Sequence, residues 1–168
     1  ETSIEKYFED IGKKTDELFG TSCESGVIVA NGNVKQEKAA YNYGYNLGLA
    51  FQIVDDLMDF KSKSNKMGKN LGDDFKLGKT TLPIILAWKK SNSSERKFWI
   101  KTIKELKQEP SDFSEALTIL NKYNVFDECK NRAQEFISIA QQALFELPNT
   151  KFKEYLFGLA DESIERSK

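Results

Sequence analysis

Residues 39 to 60 constrain the fold of this chain more than any other stretch, because most of their surface belongs inside a protein. Over these 22 positions the only charged side chains are three aspartates, Asp55, Asp56 and Asp59. A helix that faced water over much of its surface would carry more charges than this. We therefore expect a largely buried helix. Burying three like charges without a partner would cost several kcal/mol, so a cationic partner is expected beside them.

The three aspartates fall in one narrow sector of the predicted helix. Turning each residue by about 100° places Gln52 and Gly48 in the same sector and surrounds it with apolar side chains. Asp55 and Asp59 lie one turn apart and can offer oxygens to one hard cation. Mg²⁺ is typically held by one or two carboxylates together with substrate phosphates. The DDxxD pattern is therefore suited to Mg²⁺-diphosphate, although the pattern alone is common.

The segment that follows has the opposite charge. Residues 61–79 hold six lysines against two aspartates, a net charge of +4, together with three glycines. Lysines on a glycine-bearing loop beside carboxylates suit an anion that is bridged to a metal. Upstream, Lys14 and Thr15 lie at the apolar stripe of the first predicted helix, from which they could reach the same anion.

Structural alternatives are open at each of these positions. Lys14 can be an ordinary surface lysine, and Thr15 can hydrogen-bond to its own helix. The helix over residues 39–60 can be a core helix whose aspartates pair with lysines of the loop.

Apolar residues recur at helical spacing along nearly the whole chain, which predicts an all-α fold. The sequence has only three prolines, and no segment alternates as a strand does. Asn31-Gly32 is predicted to end one helix, and Asn33 with Gln36 to form the capping box of the long one. We expect one domain over residues 1–168, an active-site loop at 61–79, and helices at about 2–19, 22–30, 33–60, 81–90, 94–107, 112–122, 125–146 and 150–166.

Composition excludes several classes of function. The chain has no histidine, which rules out Ser-His, Cys-His and His-metal sites. Its 25 basic and 26 acidic residues argue against a general binder of nucleic acid or of anionic membranes. Cys23 and Cys129 fit no metal spacing, so we interpret them as reduced packing residues.

No apolar run approaches the roughly 20 residues that a membrane-spanning helix needs, and the first residues show no signal-peptide pattern. We expect a cytoplasmic protein. An organellar location stays open, because the chain begins in a helical pattern without an initiator methionine and looks like a piece of something longer.

Together these motifs resemble the trans-isoprenyl diphosphate synthases, and among them the long-chain polyprenyl synthases of the octaprenyl type. GLAFQIVDDLMDF, at residues 48–60, resembles the second aspartate-rich motif of that family, and GKNLGDDFKLGKTTLPIILA, at 68–87, resembles the segment after it. Lys14-Thr15 takes the place of the family's Lys-Thr pair, and CESGVIVANG, at 23–32, resembles the next helix. The similarity runs from about residue 7 to the C-terminus.

The resemblance implies an isoprenoid synthase-type helical bundle and a Mg²⁺-dependent prenyltransferase that usually forms homodimers. Its substrates would be an allylic diphosphate and isopentenyl diphosphate, and its product a long chain such as octaprenyl diphosphate for quinone side chains. Asp55 is implied as the main Mg²⁺ ligand, with Asp56 and Asp59 reinforcing it through waters. Phe51 would line the cavity near the reacting carbons. The residues implied to bind the diphosphates are Lys14, Thr15, Gln52, Lys69 and Lys79.

The chain also departs from that family's pattern. It has no first aspartate-rich motif, no Arg-Arg pair after one, and no upstream Gly-Lys for isopentenyl diphosphate. We therefore expect the C-terminal half of such an enzyme, catalytically inactive by itself. Two alternatives stay open: a terpene cyclase or head-to-head synthase on the same scaffold, and a non-catalytic partner subunit or helical interaction domain. Lys79 and the GKNLGDD segment argue against a cyclase, because cyclases usually lack them.

Overall fold

A computed structural model describes residues 3–61 and 71–165, except for the side chain of Lys14. Over these residues the chain is helical and has no strand, so the predicted all-α class is confirmed. None of the helices in this part of the chain is long and apolar enough to cross a membrane.

The helices follow one another with short connections. They are α1 (Ile4–Ile11), α2 (Glu17–Val29), α3 (Val34–Lys61), α4 (Asp73–Lys76), α5 (Leu82–Lys90), α6 (Ser93–Trp99), α7 (Asp112–Lys122), α8 (Val125–Ala143) and α9 (Lys151–Glu165). Two π-helical turns, Gly12–Asp16 and Ile100–Lys104, continue α1 and α6, and a 3₁₀ turn, Leu144–Glu146, follows α8.

The chain divides into two compact units. Among the described residues, the first unit comprises 3–7, 55–61 and 71–129, and the second comprises 8–54 and 130–165. Helix α3 contributes to both, because its first 21 residues, 34–54, belong to the second unit and its last seven, 55–61, to the first.

The predicted boundary before α3 is confirmed in detail. Asn31 has a left-handed backbone, with φ of 55°, and the Gly32 N–H donates to the Val27 carbonyl at 2.9 Å, which ends α2. The Asn33 side chain then accepts hydrogen bonds from the backbone of residues 35 and 36, at 3.0 and 3.1 Å. The Gln36 side chain accepts from the Asn33 N–H at 3.0 Å, which completes the capping box.

Other predicted boundaries are wrong. Helix α2 passes through Gly20 without a break, because this glycine makes room for the Tyr41 ring, which an added Cβ would approach to 2.8 Å. Helical structure stops at Lys104 rather than at 107, and Leu106 has a left-handed backbone. Within the predicted loop 61–79, Lys61 ends α3 and Asp73–Lys76 form α4. Residues 62–70 lie outside the described part of the chain.

The second unit is built on a close approach of α2 to α3. A Cβ added at Gly44 would overlap the carbonyl oxygen of Phe19, and one at Gly48 would lie 3.0 Å from the Cα of Asp16. These two glycines are one helical turn apart and so open one side of α3 to its neighbour. Tyr43, which is 1% exposed, ties α3 to α9 by donating from its hydroxyl to the Leu156 carbonyl at 2.8 Å.

The first unit has an aromatic core. The ring of Phe60, near the end of α3, stacks on Phe113 with centroids 6.0 Å apart and tilts against Phe126 at 6.3 Å. Phe75, from α4, meets the edge of the Phe113 ring at 5.6 Å. These contacts hold the last turn of α3 and the short helix α4 against α7 and α8, and thereby fix the elements that carry the candidate site.

The glycine approach in the second unit predicts the effect of adding one methyl group. Gly44→Ala should lower the free energy of unfolding by about 2–3 kcal/mol, because the backbone of α2 must move away. Gly26→Ala is the matched control on α2, since an added Cβ there meets nothing within 4 Å. It should be neutral or stabilising by about 0.5–1 kcal/mol. Urea unfolding monitored by circular dichroism measures both, and equal effects of the two changes would contradict this packing.

Candidate functional site

The first unit holds the three aspartates of α3, and Asp56 is the most deeply buried of them. Its side chain is 4% exposed. One carboxylate oxygen, Oδ2, accepts two hydrogen bonds. The Tyr7 hydroxyl donates one at 2.7 Å, and the Leu82 N–H, at the start of α5, donates the other at 3.3 Å. Buried carboxylates need such donors. Asp56 therefore joins three parts of the first unit that are distant in sequence.

Asp59 has a different environment on the same helix. One of its carboxylate oxygens accepts from the Asp74 N–H at 3.2 Å, whereas the other is buried and has no hydrogen-bond partner among the described residues. Burial raises the pKa of this carboxyl above its usual value, and the Asp74 N–H acts in the opposite direction. An oxygen held in this way can accept a cation without first losing a protein contact.

Asp74 links Lys79 to the aspartates of α3. The Lys79 ammonium pairs with the Asp74 carboxylate at 2.5 Å, and the backbone N–H of Lys79 donates to the Asp74 carbonyl at 3.0 Å. The pKa of Lys79 is raised, first by the hydrogen bond to Asp74 and further by the charges of Asp56 and Asp59. Its side chain is still 56% exposed, so the ammonium can reach a ligand in solvent.

The other predicted site residues lie in different surroundings. Asp55 belongs to the first unit and is half-buried on α3. Thr15, in the first π-helical turn, and Phe51 and Gln52, on α3, are half-buried in the second unit. The backbone of Lys14 lies in the same π-helical turn as Thr15. Lys69 falls outside the described residues, and the roles of all these side chains stay predictions.

Phe51 lines a small apolar cavity inside the second unit. The cavity has a volume of about 230 Å³. Its wall is formed by Phe19, Leu47 and Leu159 together with the polar side chains of Glu162 and Ser163. The rings of Phe19 and Phe51 are 5.9 Å apart and tilted, which gives this wall an aromatic surface. An apolar molecule or side chain of modest size is the kind of occupant that such a wall accepts.

Asp16 is a buried charge in the second unit that the sequence analysis missed. Its side chain is 0% exposed, it lies against Gly48, and neither carboxylate oxygen has a hydrogen-bond partner in the described residues. Burial, followed by the charge of Glu17, raises its pKa to about 7. The carboxyl is thus largely protonated below neutral pH, which removes most of the cost of burying it.

The carboxylates of the first unit can form part of a metal site. Among the described residues, no three aspartate, glutamate or cysteine side chains converge on one point. Mg²⁺ does not need three, because it usually takes one or two protein carboxylates and completes its shell with water and phosphate oxygens. Asp55 and Asp59, one turn apart on α3, fit that partial role, and the unpaired buried oxygen of Asp59 supports it.

Comparison with known proteins decides the family. The model of the family described as polyprenyl synthetase matches residues 1–120. The chain belongs to the polyprenyl synthetase family. The octaprenyl diphosphate synthase of Haemophilus influenzae is 38% identical over 168 residues, an alignment that covers 99% of this chain and 50% of the relative.

Two solved polyprenyl synthases have the same fold as this chain. A decaprenyl diphosphate synthase from Rhodobacter capsulatus superposes with a TM-score of 0.93 and 36% identity, over 99% of this chain and 51% of the other. A polyprenyl synthase from Caulobacter crescentus, complexed with calcium and isoprenyl diphosphate, gives a TM-score of 0.93 and 37% identity, over 99% and 51%.

These similarities test three of the predictions. The resemblance to the polyprenyl synthases of the octaprenyl type is confirmed by the family model and by the relative from Haemophilus influenzae. The isoprenoid synthase-type helical fold is confirmed by the superpositions. The chain spans about half the length of the curated relatives that it matches. This confirms the expectation that it corresponds to half of such an enzyme.

The structure shows two further residues at the site that were not predicted from the sequence. One is Tyr7, whose hydroxyl reaches Asp56 across 49 positions of sequence. Asp74 was counted only as a negative charge in the loop, yet it contacts both Asp59 and Lys79. The Gly72-Asp73-Asp74 sequence, a glycine before two acids that can start a helix, is the one local signal that could have indicated Asp74.

Removing the Tyr7 hydroxyl tests the anchoring of Asp56. Tyr7→Phe should lower the free energy of unfolding by about 1.5–3 kcal/mol, because a buried carboxylate loses a hydrogen bond. Tyr155→Phe is the matched control, since that side chain is 57% exposed and should change stability by less than about 0.5 kcal/mol. Combining Tyr7→Phe with Asp56→Asn should be less damaging than the sum of the two, because both changes remove the same hydrogen bond. Strict additivity in urea unfolding would speak against the contact.

The raised pKa of Asp16 predicts a pH dependence of stability. Between about pH 4 and pH 7 the folded chain keeps a proton on Asp16 that the unfolded chain has released, so stability should fall as pH rises through this window and level off above it. Asp16→Asn removes this titration, and its stability relative to the unmodified chain should therefore rise by about 2–4 kcal/mol from pH 4 to pH 8. Asp127→Asn, at an exposed position of α8, is the control. Parallel stability curves for Asp16→Asn and the unmodified chain would show that Asp16 is not buried as described.

Proposed function

We propose that this chain supplies part of the active site of a Mg²⁺-dependent trans-polyprenyl diphosphate synthase. The reaction condenses isopentenyl diphosphate with an allylic diphosphate and lengthens the chain by one isoprene unit. The product is a long chain such as octaprenyl diphosphate, which serves as a quinone side chain. The observation that carries the proposal is the cluster at the end of α3, where Asp74 holds both Asp59 and Lys79. Membership of the polyprenyl synthetase family supports it.

The charges of this cluster suit a diphosphate leaving group. In the reaction the allylic C–O bond breaks and diphosphate departs with the electron pair. The double bond of isopentenyl diphosphate then attacks the allylic carbon, and a proton is lost as the new double bond forms. Lys79, with Lys14 and Lys69, would offset the charge that develops on the departing diphosphate. Mg²⁺ held by Asp55 and Asp59 would add further positive charge at the diphosphate oxygens.

Asp56 has a different role in this proposal from its two neighbours. Because Tyr7 and the Leu82 N–H already use its carboxylate, Asp56 would act chiefly by fixing the orientation of the turn that carries Asp55 and Asp59. It can still reinforce a metal electrostatically, as the family resemblance implies. Both of these bonds fall on one oxygen of Asp56, whereas one buried oxygen of Asp59 has no partner among the described residues. Asp59 is therefore the better candidate for a direct ligand.

The remaining predicted site residues would contact the substrate in this proposal. Thr15 and Gln52 carry groups that can hydrogen-bond to diphosphate oxygens. Phe51, on an apolar wall with Phe19, would face the reacting hydrocarbon and keep water from the allylic cation.

The proposed site is incomplete within this sequence, which contains one aspartate-rich motif where the reaction uses two facing ones. We propose that the 168-residue chain alone has no prenyltransferase activity. The opposing aspartates, the site for isopentenyl diphosphate and the residues that set product length would come from another segment or chain. Assembly as a homodimer is part of the same proposal.

The experiment is to change Asp55 in a complete polyprenyl synthase that contains this chain. Asp55→Asn should lower turnover of allylic diphosphate by about 10³-fold, because a metal-held charge is lost from the leaving group. Asp127→Asn, an equivalent change at an exposed position far along the sequence, should leave turnover unchanged. Steady-state assays with labelled isopentenyl diphosphate over a range of Mg²⁺ concentrations measure both.

Two results would contradict the proposal. If Asp55→Asn kept full turnover at every Mg²⁺ concentration, the helix would be a structural element of a non-catalytic subunit. If the 168-residue chain alone catalysed the condensation, the proposed need for an opposing metal site would be wrong.

A further inference from the structure

A second apolar site lies in the first unit, between α5 and the segment formed by α6 and its π-helical turn. It is a groove with a volume of about 460 Å³, within the range of small-molecule pockets. Its wall is almost wholly apolar and includes both tryptophans of the chain. The residues that line it are Thr80, Ile84, Ile85, Trp88, Trp99, Ile100, Ile103 and Lys104.

The groove is polar at one end only. Gly78 lies against the Ile103 carbonyl, which an added Cβ would approach to 2.6 Å, so Thr80 and Lys104 belong to the same end of the two antiparallel segments. At the other end the Trp99 indole N–H donates to the Ser91 hydroxyl at 3.1 Å. The groove thus runs from a lysine and a hydroxyl toward two indole rings.

The two polar groups at that end make no polar contact within the described part of the chain. Neither the Lys104 ammonium nor the Thr80 hydroxyl forms an ion pair or hydrogen bond with any residue that the structure describes. Neighbouring lysines on the same segment differ, since Lys101 pairs with Glu109 and Asp112, and Lys107 with Glu105. A cation and a hydroxyl at the mouth of an apolar groove complement an anionic headgroup followed by a hydrocarbon tail.

We propose that this groove binds a short isoprenyl phosphate or diphosphate, with its phosphate at Lys104 and Thr80 and its tail along Ile100 toward Trp88. The open apolar surface for that tail comes from Trp88, which is half-buried, and from Ile100, which is 38% exposed, whereas Trp99 is only 2% exposed. The indole of Trp88 suits the planar, methyl-branched double bonds of an isoprenyl chain. The site uses none of the aspartates of α3 and needs no metal. The inference rests on the proposed function for the identity of the ligand, because that reaction makes and consumes such molecules.

The chain provides its own reporter for this site, since Trp88 and Trp99 are its only tryptophans. Farnesyl diphosphate added to the chain in EDTA should change the tryptophan fluorescence saturably. Lys104→Gln should raise the apparent dissociation constant about tenfold, as expected for one charge-assisted hydrogen bond. Arg96→Gln is the matched control, because Arg96 lies over the Trp88 ring, 5.5 Å away, but is not part of the polar end. It should leave the dissociation constant within about twofold.

Further titrations separate this site from the proposed catalytic site and from general amphiphile binding. Asp55→Asn should leave the metal-free titration unchanged even if it abolishes turnover, and a loss of this titration would assign the binding to the catalytic site instead. Farnesol and dodecyl phosphate should each bind more weakly than farnesyl diphosphate. If farnesol bound as tightly as farnesyl diphosphate, the groove would not recognise the phosphate. If dodecyl phosphate bound as tightly, the groove would not prefer an isoprenyl tail. No saturable change, or an Arg96→Gln effect as large as that of Lys104→Gln, would overturn the proposal.

Discussion

The burial of carboxylates on α3 is the constraint on which the candidate site depends. A buried carboxylate must be supplied with donors, and Asp56 receives two, from the Tyr7 hydroxyl and the Leu82 N–H. Those two bonds fix the last turns of α3 against the start of the chain and the start of α5. The same turns present Asp55 and Asp59. The orientation of the candidate metal ligands therefore follows from a neighbouring carboxylate, one oxygen of which accepts both bonds.

Asp59 and Asp74 show how the site can be stable without a ligand and still accept one. Asp74 gives its N–H to one Asp59 oxygen and its carboxylate to Lys79, so the positive and negative groups hold each other in place. One oxygen of Asp59 keeps no partner among the described residues. Preorganised groups of this kind lower the cost of ordering a site when an anion and a metal bind.

Local pattern was enough to predict much of this structure. Apolar periodicity predicted the helical class, and the Asn33–Gln36 capping box located the start of α3, because both signals lie within a few residues of the feature they describe. Tyr7 and Asp56 could not be paired from the sequence, since 49 positions separate them and many residues share their spacing. The passage of α2 through Gly20 was missed for a related reason: a glycine that ends a helix and one that admits a neighbouring ring look alike until the neighbour is placed.

The position of the metal in a complete polyprenyl synthase that contains this chain tests the proposed roles of the three aspartates most directly. Crystals soaked with Mn²⁺ and a non-hydrolysable bisphosphonate would show the metal by its anomalous scattering. We predict a metal in contact with the Asp55 carboxylate, with Asp59 beside it and the bisphosphonate as a further ligand. Asp56 should still be bonded to Tyr7 and to the Leu82 N–H. A bound bisphosphonate with no metal at Asp55, or a metal held by Asp56 after its bond to Tyr7 has broken, would contradict these roles.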